Sequence, residues 1–211
     1  MPDHAALKLH THVFHPGPSG RTLLLLHGTG GDEHDLVPLA RHVDAQAAIL
    51  SPRGNVLERG APRFFRRLAE GVFDLDDLRV RVLALRDWLT AAIEHYAIDP
   101  AQLTALGYSN GANTAAAMML LHPGALRSAI LWRAMVTVED APPINTSGRT
   151  LIVSGRTDPI LPLPNAQRLA SMLRERGIDV RHEVLSAGHE LTRDDIDLAR
   201  DWLARDWLGR A

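Results

Sequence analysis

Ser109 stands in the run Gly107-Tyr108-Ser109-Asn110-Gly111, between an apolar stretch and an Ala-rich one. Glycines two residues to either side suit a sharp turn from strand to helix, where backbone segments pass too close for a Cβ. A serine at such a turn presents its hydroxyl for attack on a carbonyl carbon. At the start of the following helix the Asn110 N–H lacks an intrahelical acceptor, and the positive end of the helix dipole lies at the same spot, so an oxyanion would be stabilised there. One donor is a poor cover, since losing a donor from such a hole costs about 3 kcal/mol of barrier. The second is expected from Leu23-Leu24-Leu25-Leu26-His27-Gly28-Thr29-Gly30-Gly31-Asp32, a buried strand running into a Gly-rich loop, with the Thr29 N–H as the candidate. The loop does not suit a nucleotide. Glu33 stands where a dinucleotide fingerprint needs its third glycine, and no Gly-Lys-Ser/Thr follows.

A serine hydroxyl is unreactive at neutral pH unless a base takes its proton, and the base must be held by a carboxylate. Eleven histidines compete for the first role. His189 is the candidate, because Ser186-Ala187-Gly188-His189-Glu190 forms a small-residue loop between the last strand and the last helix. Asp158 is the candidate orienter. It follows the strand 150–153 through Ser154-Gly155-Arg156-Thr157 and precedes Pro159, whereas Asp179 precedes a strand and Asp194 sits in a helix. The chain order Ser109, Asp158, His189 is that of triads in α/β-hydrolases, each residue following a successive late strand. His10, His12 and His15 alternate on the first strand and are expected in solvent. His27, His34, His42, His122 and His182 are read as structural, with His27 bracing the oxyanion loop.

The elements that must position these groups form an alternating series. Strands are expected at 7–14, 22–26, 47–50, 103–108, 127–131, 150–153 and 180–185, the first as an antiparallel edge. Leu78, Val82, Leu85, Leu89 and Ile93 recur at spacings of three and four, which predicts an amphipathic helix over 76–96. Residues 110–122 are Ala-rich and apolar nearly all round, which predicts a buried central helix; 165–175 and 194–208 complete the set. The fold class is therefore α/β, a mostly parallel sheet flanked by helices on both faces, expected as one domain over 1–211.

A net charge of -2 and a pI near 6.6 provide no basic stripe for nucleic acid and no cluster for an anionic membrane. The expected partner is a small molecule. With no cysteine there is no thiolate metal site and no cysteine nucleophile. No metal or organic cofactor is implied, and a cytoplasmic location is expected.

Together these pieces resemble the small bacterial carboxylesterases of the phospholipase/carboxylesterase group within the α/β-hydrolases. The resemblance runs from about Leu23 to the C-terminus and includes Ser51-Pro52-Arg53-Gly54-Asn55, Asp158-Pro159-Ile160-Leu161-Pro162 and Gly188-His189-Glu190. It implies a Ser109, Asp158, His189 triad, an oxyanion hole at Thr29 and Asn110, and cleavage of small carboxylic esters through an acyl-enzyme. A thioesterase or lysophospholipase-like hydrolase with the same triad stays open, as does a silent α/β-hydrolase that binds a ligand. Only about seventeen residues separate the strand ending near Trp132 from the next, so no large lid is expected. The connection 53–74 holds Phe64, Phe65 and Phe73 and is the expected pocket wall; Trp132, Arg133 and Met135 are candidates for the acyl side, core packing being the equal alternative. Arg53 is expected to pair with Glu58, the alternative being a substrate anion. The apolar end Trp202-Leu203-Ala204-Arg205-Asp206-Trp207-Leu208 is a candidate dimer surface, core packing being the other use.

Overall fold

A computed structural model describes residues 4–208 apart from 70 and 142–143, with the side chains of 4 and 206–208 also left undescribed. Seven strands form the main sheet: β1 (His12–His15), β2 (Thr22–Leu26), β3 (Ala48–Pro52), β8 (Leu103–Tyr108), β9 (Ser128–Trp132), β10 (Gly148–Gly155) and β11 (Ile178–Leu185). Between β3 and β8 come two hairpins, β4 (Val56–Glu58) with β5 (Ala61–Arg63), and β6 (Arg67–Ala69) with β7 (Val72–Phe73). The helices are α1 (His4–Leu7), α2 (Val37–Val43), α3 (Leu75–His95), α4 (Asn110–Leu121), α5 (Leu163–Arg174) and α6 (Arg193–Leu208).

The sheet order is β1-β3-β2-β8-β9-β10-β11, with only β1 antiparallel. From β2 the chain moves outward to β3, then crosses back to β8 on the other side of β2. The loops after β2 and β8 thus diverge at a topological switch point, where open α/β sheets bind ligands at the strands' carboxyl ends. The expected edge strand is antiparallel but shorter, covering only His12–His15. Val37–Val43 is a helix that sequence periodicity did not single out, because it is two turns long and buries only Ala40 and Val43.

The interiors of β2, β3, β8, β9 and β10 are largely apolar without alternation because both faces are covered. Leu23, Leu25, Ile49, Leu106, Ile130, Leu151 and Val153 pack with α2 and α6 on one face; Leu24, Leu26, Leu50, Ala105, Leu131 and Ile152 pack with α3, α4 and α5 on the other. Ile196, Leu198, Ala199, Trp202 and Leu203 of α6 join the first cluster, so the described part of the terminal helix is a core element. Trp207 and Leu208, the rest of the expected dimer surface, lie outside the described side chains. Asp74 caps α3, its side chain accepting from the Asp77 N–H. No helix among the described residues is long and apolar enough to cross a membrane.

His10 departs from the solvated position expected of it. It is 4% exposed, its Nδ1 2.8 Å from the Arg53 carbonyl and its ring edge-on to Trp88. Burial holds the imidazoles of His10, His27, His122 and His182 below their ordinary value of 6.5. On unfolding each regains that value, so below about pH 6.5 the unfolded chain binds more protons than the folded one. Stability should therefore be full above this value and decline as the pH falls beneath it. The urea midpoint is expected to be lower at pH 5 than at pH 7.5; an equal or higher midpoint at pH 5 would refute this.

Candidate active site

Ser109, Asp158 and His189 leave the carboxyl ends of β8, β10 and β11, and the structure brings them into one hydrogen-bonded line. Asp158 Oδ2 lies 2.8 Å from His189 Nδ1, and His189 Nε2 lies 3.0 Å from Ser109 Oγ. An ionised carboxylate can only accept, so Nδ1 carries the hydrogen and Nε2 is left to accept from the serine. Asp158 Oδ1 accepts the N–H groups of Ile160 at 2.8 Å and Leu161 at 3.0 Å, which fixes the carboxylate's orientation. The Asp158 side chain is 1% exposed and that of His189 19%, so the line runs from a buried carboxylate to an open hydroxyl.

Ser109 has φ 51° and ψ -112°, a conformation that costs a non-glycine residue about 1–3 kcal/mol. The surrounding contacts hold it there. Its N–H donates to the Trp132 carbonyl at 2.9 Å, and its own carbonyl accepts from the Asn113 N–H at 2.9 Å. A Cβ on Gly111 would lie 2.0 Å from the Leu26 carbonyl oxygen, and one on Gly107 2.7 Å from the Ala112 Cα. Both neighbours are backbone and cannot swing aside. Gly111→Ala is therefore expected to destabilise by at least the 1–3 kcal/mol typical of overpacking. Urea unfolding would measure it, and a loss under about 0.5 kcal/mol, the scatter of ordinary surface changes, would contradict the close approach.

Ser109 opens onto a cavity of about 270 Å³ lined also by Thr29, Tyr108, Asn110, Asn113 and His189. The Thr29 N–H has no hydrogen-bond acceptor among the described residues, and Asn110 is the first residue of α4, so both amides are available to a ligand oxygen. His27 does brace this loop. Its Nδ1 lies 2.6 Å from the Gly28 carbonyl and must donate there, leaving Nε2 to accept the Gly54 N–H at 2.9 Å.

No protein-family model matches the chain. It is 40% identical over 192 residues to "Putative hydrolase MhqD" of Bacillus subtilis (strain 168), covering 90% of this chain and 96% of that protein. Among solved structures, the Bacillus cereus carboxylesterase is 42% identical with a TM-score of 0.88, covering 92% of each chain. The carboxylesterase from Mesorhizobium loti is 33% identical with a TM-score of 0.86, over 89% of this chain and 90% of that one. The structure of YahD with malic acid matches at 32% and 0.85, over 92% of this chain and 97% of that one. The chain belongs to the bacterial carboxylesterases of the α/β-hydrolase fold.

As a carboxylesterase it is an ester-cleaving hydrolase, and its cavity walls differ from the sequence expectation. Met135 lines the cavity, joined by Phe73, Ile160 and Leu161. Phe64, Phe65 and Trp132 do not: each is at most 2% exposed and packed in the core. Phe64 lies tilted on His27 with ring centroids 4.8 Å apart, and its N–H donates to Asn110 Oδ1 at 2.8 Å. An aromatic-rich connection was legible, but which ring faces inward depends on hairpins β4–β5 and β6–β7. Arg53 forms an ion pair, although not with Glu58. Its Nε and Nη2 lie 2.5 and 2.7 Å from the two Glu33 oxygens, away from the cavity lining. Glu58 is instead taken by Arg67 at 2.9 Å and Arg63 at 3.4 Å.

Three positions carry more of the carboxylesterase's site than their sequence suggested. Asn113 Oδ1 accepts the Met135 N–H at 2.9 Å, so Asn110 and Asn113 tie the Phe64 and Met135 backbones to α4. Polar residues in an otherwise apolar, buried helix are the available signal, since each must find a partner. Arg133, at φ 57° just past β9, lies behind His189. It donates through Nε to the Gly188 carbonyl at 2.9 Å and through Nη2 to the Glu190 carbonyl at 2.8 Å. Its fork also meets Asp195 at 2.6 and 3.0 Å, both side chains being fully buried. Among the described residues no cluster of three or more His, Asp or Glu could hold a metal ion.

Proposed function

We propose that the chain is a serine carboxylesterase for small carboxylic esters. Ser109 attacks the ester carbonyl, His189 Nε2 takes the hydroxyl proton and returns it to the leaving alkoxide, and Asp158 holds the imidazole and balances its charge. The Thr29 and Asn110 N–H groups receive the oxyanion. Water, deprotonated by the same imidazole, then releases the acid from the Ser109 ester. The observation that carries this reading is the continuous line of 2.8 and 3.0 Å contacts ending on a serine at the cavity floor. Family membership supports it independently.

The cavity's size favours short acyl groups, and the small acid in the YahD structure is of the same scale. A graded panel of p-nitrophenyl esters, run beside acyl thioesters, tests the reading. Highest kcat/KM on short oxygen esters is expected. Turnover of thioesters alone would replace esterase by thioesterase, and turnover of neither would overturn the catalytic reading.

A further inference from the structure

One wall of the ester cavity carries charge that the hydrolytic steps do not use. Arg63 and Arg67 both line it, and no carboxylate does among the described residues. Arg63 is held in place by its surroundings: the Gly30 N–H donates to the Pro62 carbonyl at 2.9 Å, and the Phe64 N–H donates to Asn110 Oδ1 at 2.8 Å. Its side chain is 3% exposed, with Nη1 donating to the Thr29 hydroxyl at 2.6 Å and Nε to the Phe65 carbonyl at 3.1 Å. Nη2 has no acceptor among the described residues. Arg67 donates through Nε to both Glu58 oxygens, at 2.9 and 3.2 Å, and its two terminal nitrogens likewise have none.

Among the described residues, two guanidiniums thus share the carboxylate of Glu58, and both keep terminal N–H groups without an acceptor at the cavity wall. Burial lowers the Arg63 pKa from its ordinary value, and an anion in the cavity would favour its charged form. Arg66, between the two in sequence, is different. It is 62% exposed and pairs with Asp74 at 2.9 Å and Asp77 at 3.7 Å, neither of which lines the cavity.

We propose that Arg63 and Arg67 form an anion subsite and that the ester this chain cleaves bears a free carboxylate a few bonds from the scissile carbonyl. The half-ester of a short dicarboxylic acid, or an ester of a small hydroxy acid, has this chemistry. The proposal rests on the esterase reading above. A planar carboxylate matches the paired N–H edges of a guanidinium, which Arg63 and Arg67 still have free among the described residues.

Two matched substrate pairs test it: the p-nitrophenyl half-ester of adipic acid against its methyl-capped form, and the butyryl ester of glycolate against that of methyl glycolate. The free carboxylate is expected to raise kcat/KM at least about tenfold in one pair, the pair identifying which side of the ester meets the arginines. Arg67 is one-third exposed, so its replacement spares the core. Arg67→Ala should lower that ratio about tenfold and Arg67→Glu should invert it, while Arg66→Ala keeps it. Calorimetry with glutarate against monomethyl glutarate reads the subsite without turnover; tighter glutarate binding that Arg67→Ala abolishes is expected. Equal kcat/KM within both pairs, with no glutarate preference, overturns the subsite while hydrolysis of the capped esters leaves the esterase reading standing. Arg67-dependent glutarate binding without cleavage of any ester overturns the esterase reading alone.

Discussion

Ser109→Ala is expected to lower kcat by about a millionfold while leaving the folded structure intact. The size follows from removing the atom to which the acyl group would be transferred; the oxyanion donors and the cavity remain and supply whatever activity is left. Little stability should be lost. The hydroxyl's contact is the 3.0 Å one to His189, and an alanine Cβ occupies the same place as that of serine. The strain at φ 51° also stays, because alanine tolerates this conformation no better. Ser109→Gly should behave differently, matching alanine in lost activity but unfolding at a higher temperature, since glycine adopts positive φ freely. Steady-state kinetics and thermal unfolding of both variants check this. A Ser109→Ala enzyme retaining more than about one hundredth of wild-type kcat would remove Ser109 from the chemistry.

Arg133→Met is expected to cost about 3–5 kcal/mol of unfolding free energy, the largest stability effect foreseen for one side chain. Removing the guanidinium leaves the Asp195 carboxylate in the interior without its bidentate partner, Thr192 being the remaining donor to it among the described residues, at 2.8 Å from N–H and 2.9 Å from the hydroxyl. It also strips the Gly188 and Glu190 carbonyls of their donors, on either side of the histidine. Arg133→Lys should not rescue the protein, because one ammonium cannot reproduce a bidentate pair and two flanking bonds. The double change Arg133→Met, Asp195→Leu should recover part of the loss, since the stranded charge goes with it. Urea unfolding of the four members of this cycle measures the coupling. A single-variant loss under about 1 kcal/mol would show that the buried pair contributes no more than a surface one.

The sheet was legible because its central strands are buried on both faces and read as short apolar runs between helical periods. The runs at 22–26 and 103–108 coincide with β2 and β8, where Leu-rich and Leu-Thr-Ala-Leu stretches end abruptly at glycine-containing loops. Legibility failed where local pattern and tertiary role part. The connection 53–74 carries two small hairpins that no alternation announces, because their residues are shared between core, cavity and solvent. Phe64 and Phe65 therefore turned inward while Phe73 met the cavity. Ser109, Asp158 and His189 could be picked out because each follows a strand in order, so their meeting needs only the sheet. The part Arg133 plays could not. Its value lies in carbonyls of the β11–α6 loop and a carboxylate more than sixty residues away, which only the closed structure brings beside it.

The most direct test of the central claim is to locate the adduct formed by a fluorophosphonate. Labelling of the folded protein followed by peptide mass mapping should place one phosphonyl group per chain on Ser109, and Ser109→Ala should take up none. An adduct on any other serine, or labelling that persists in Ser109→Ala, would contradict the assignment of Ser109 as the nucleophile.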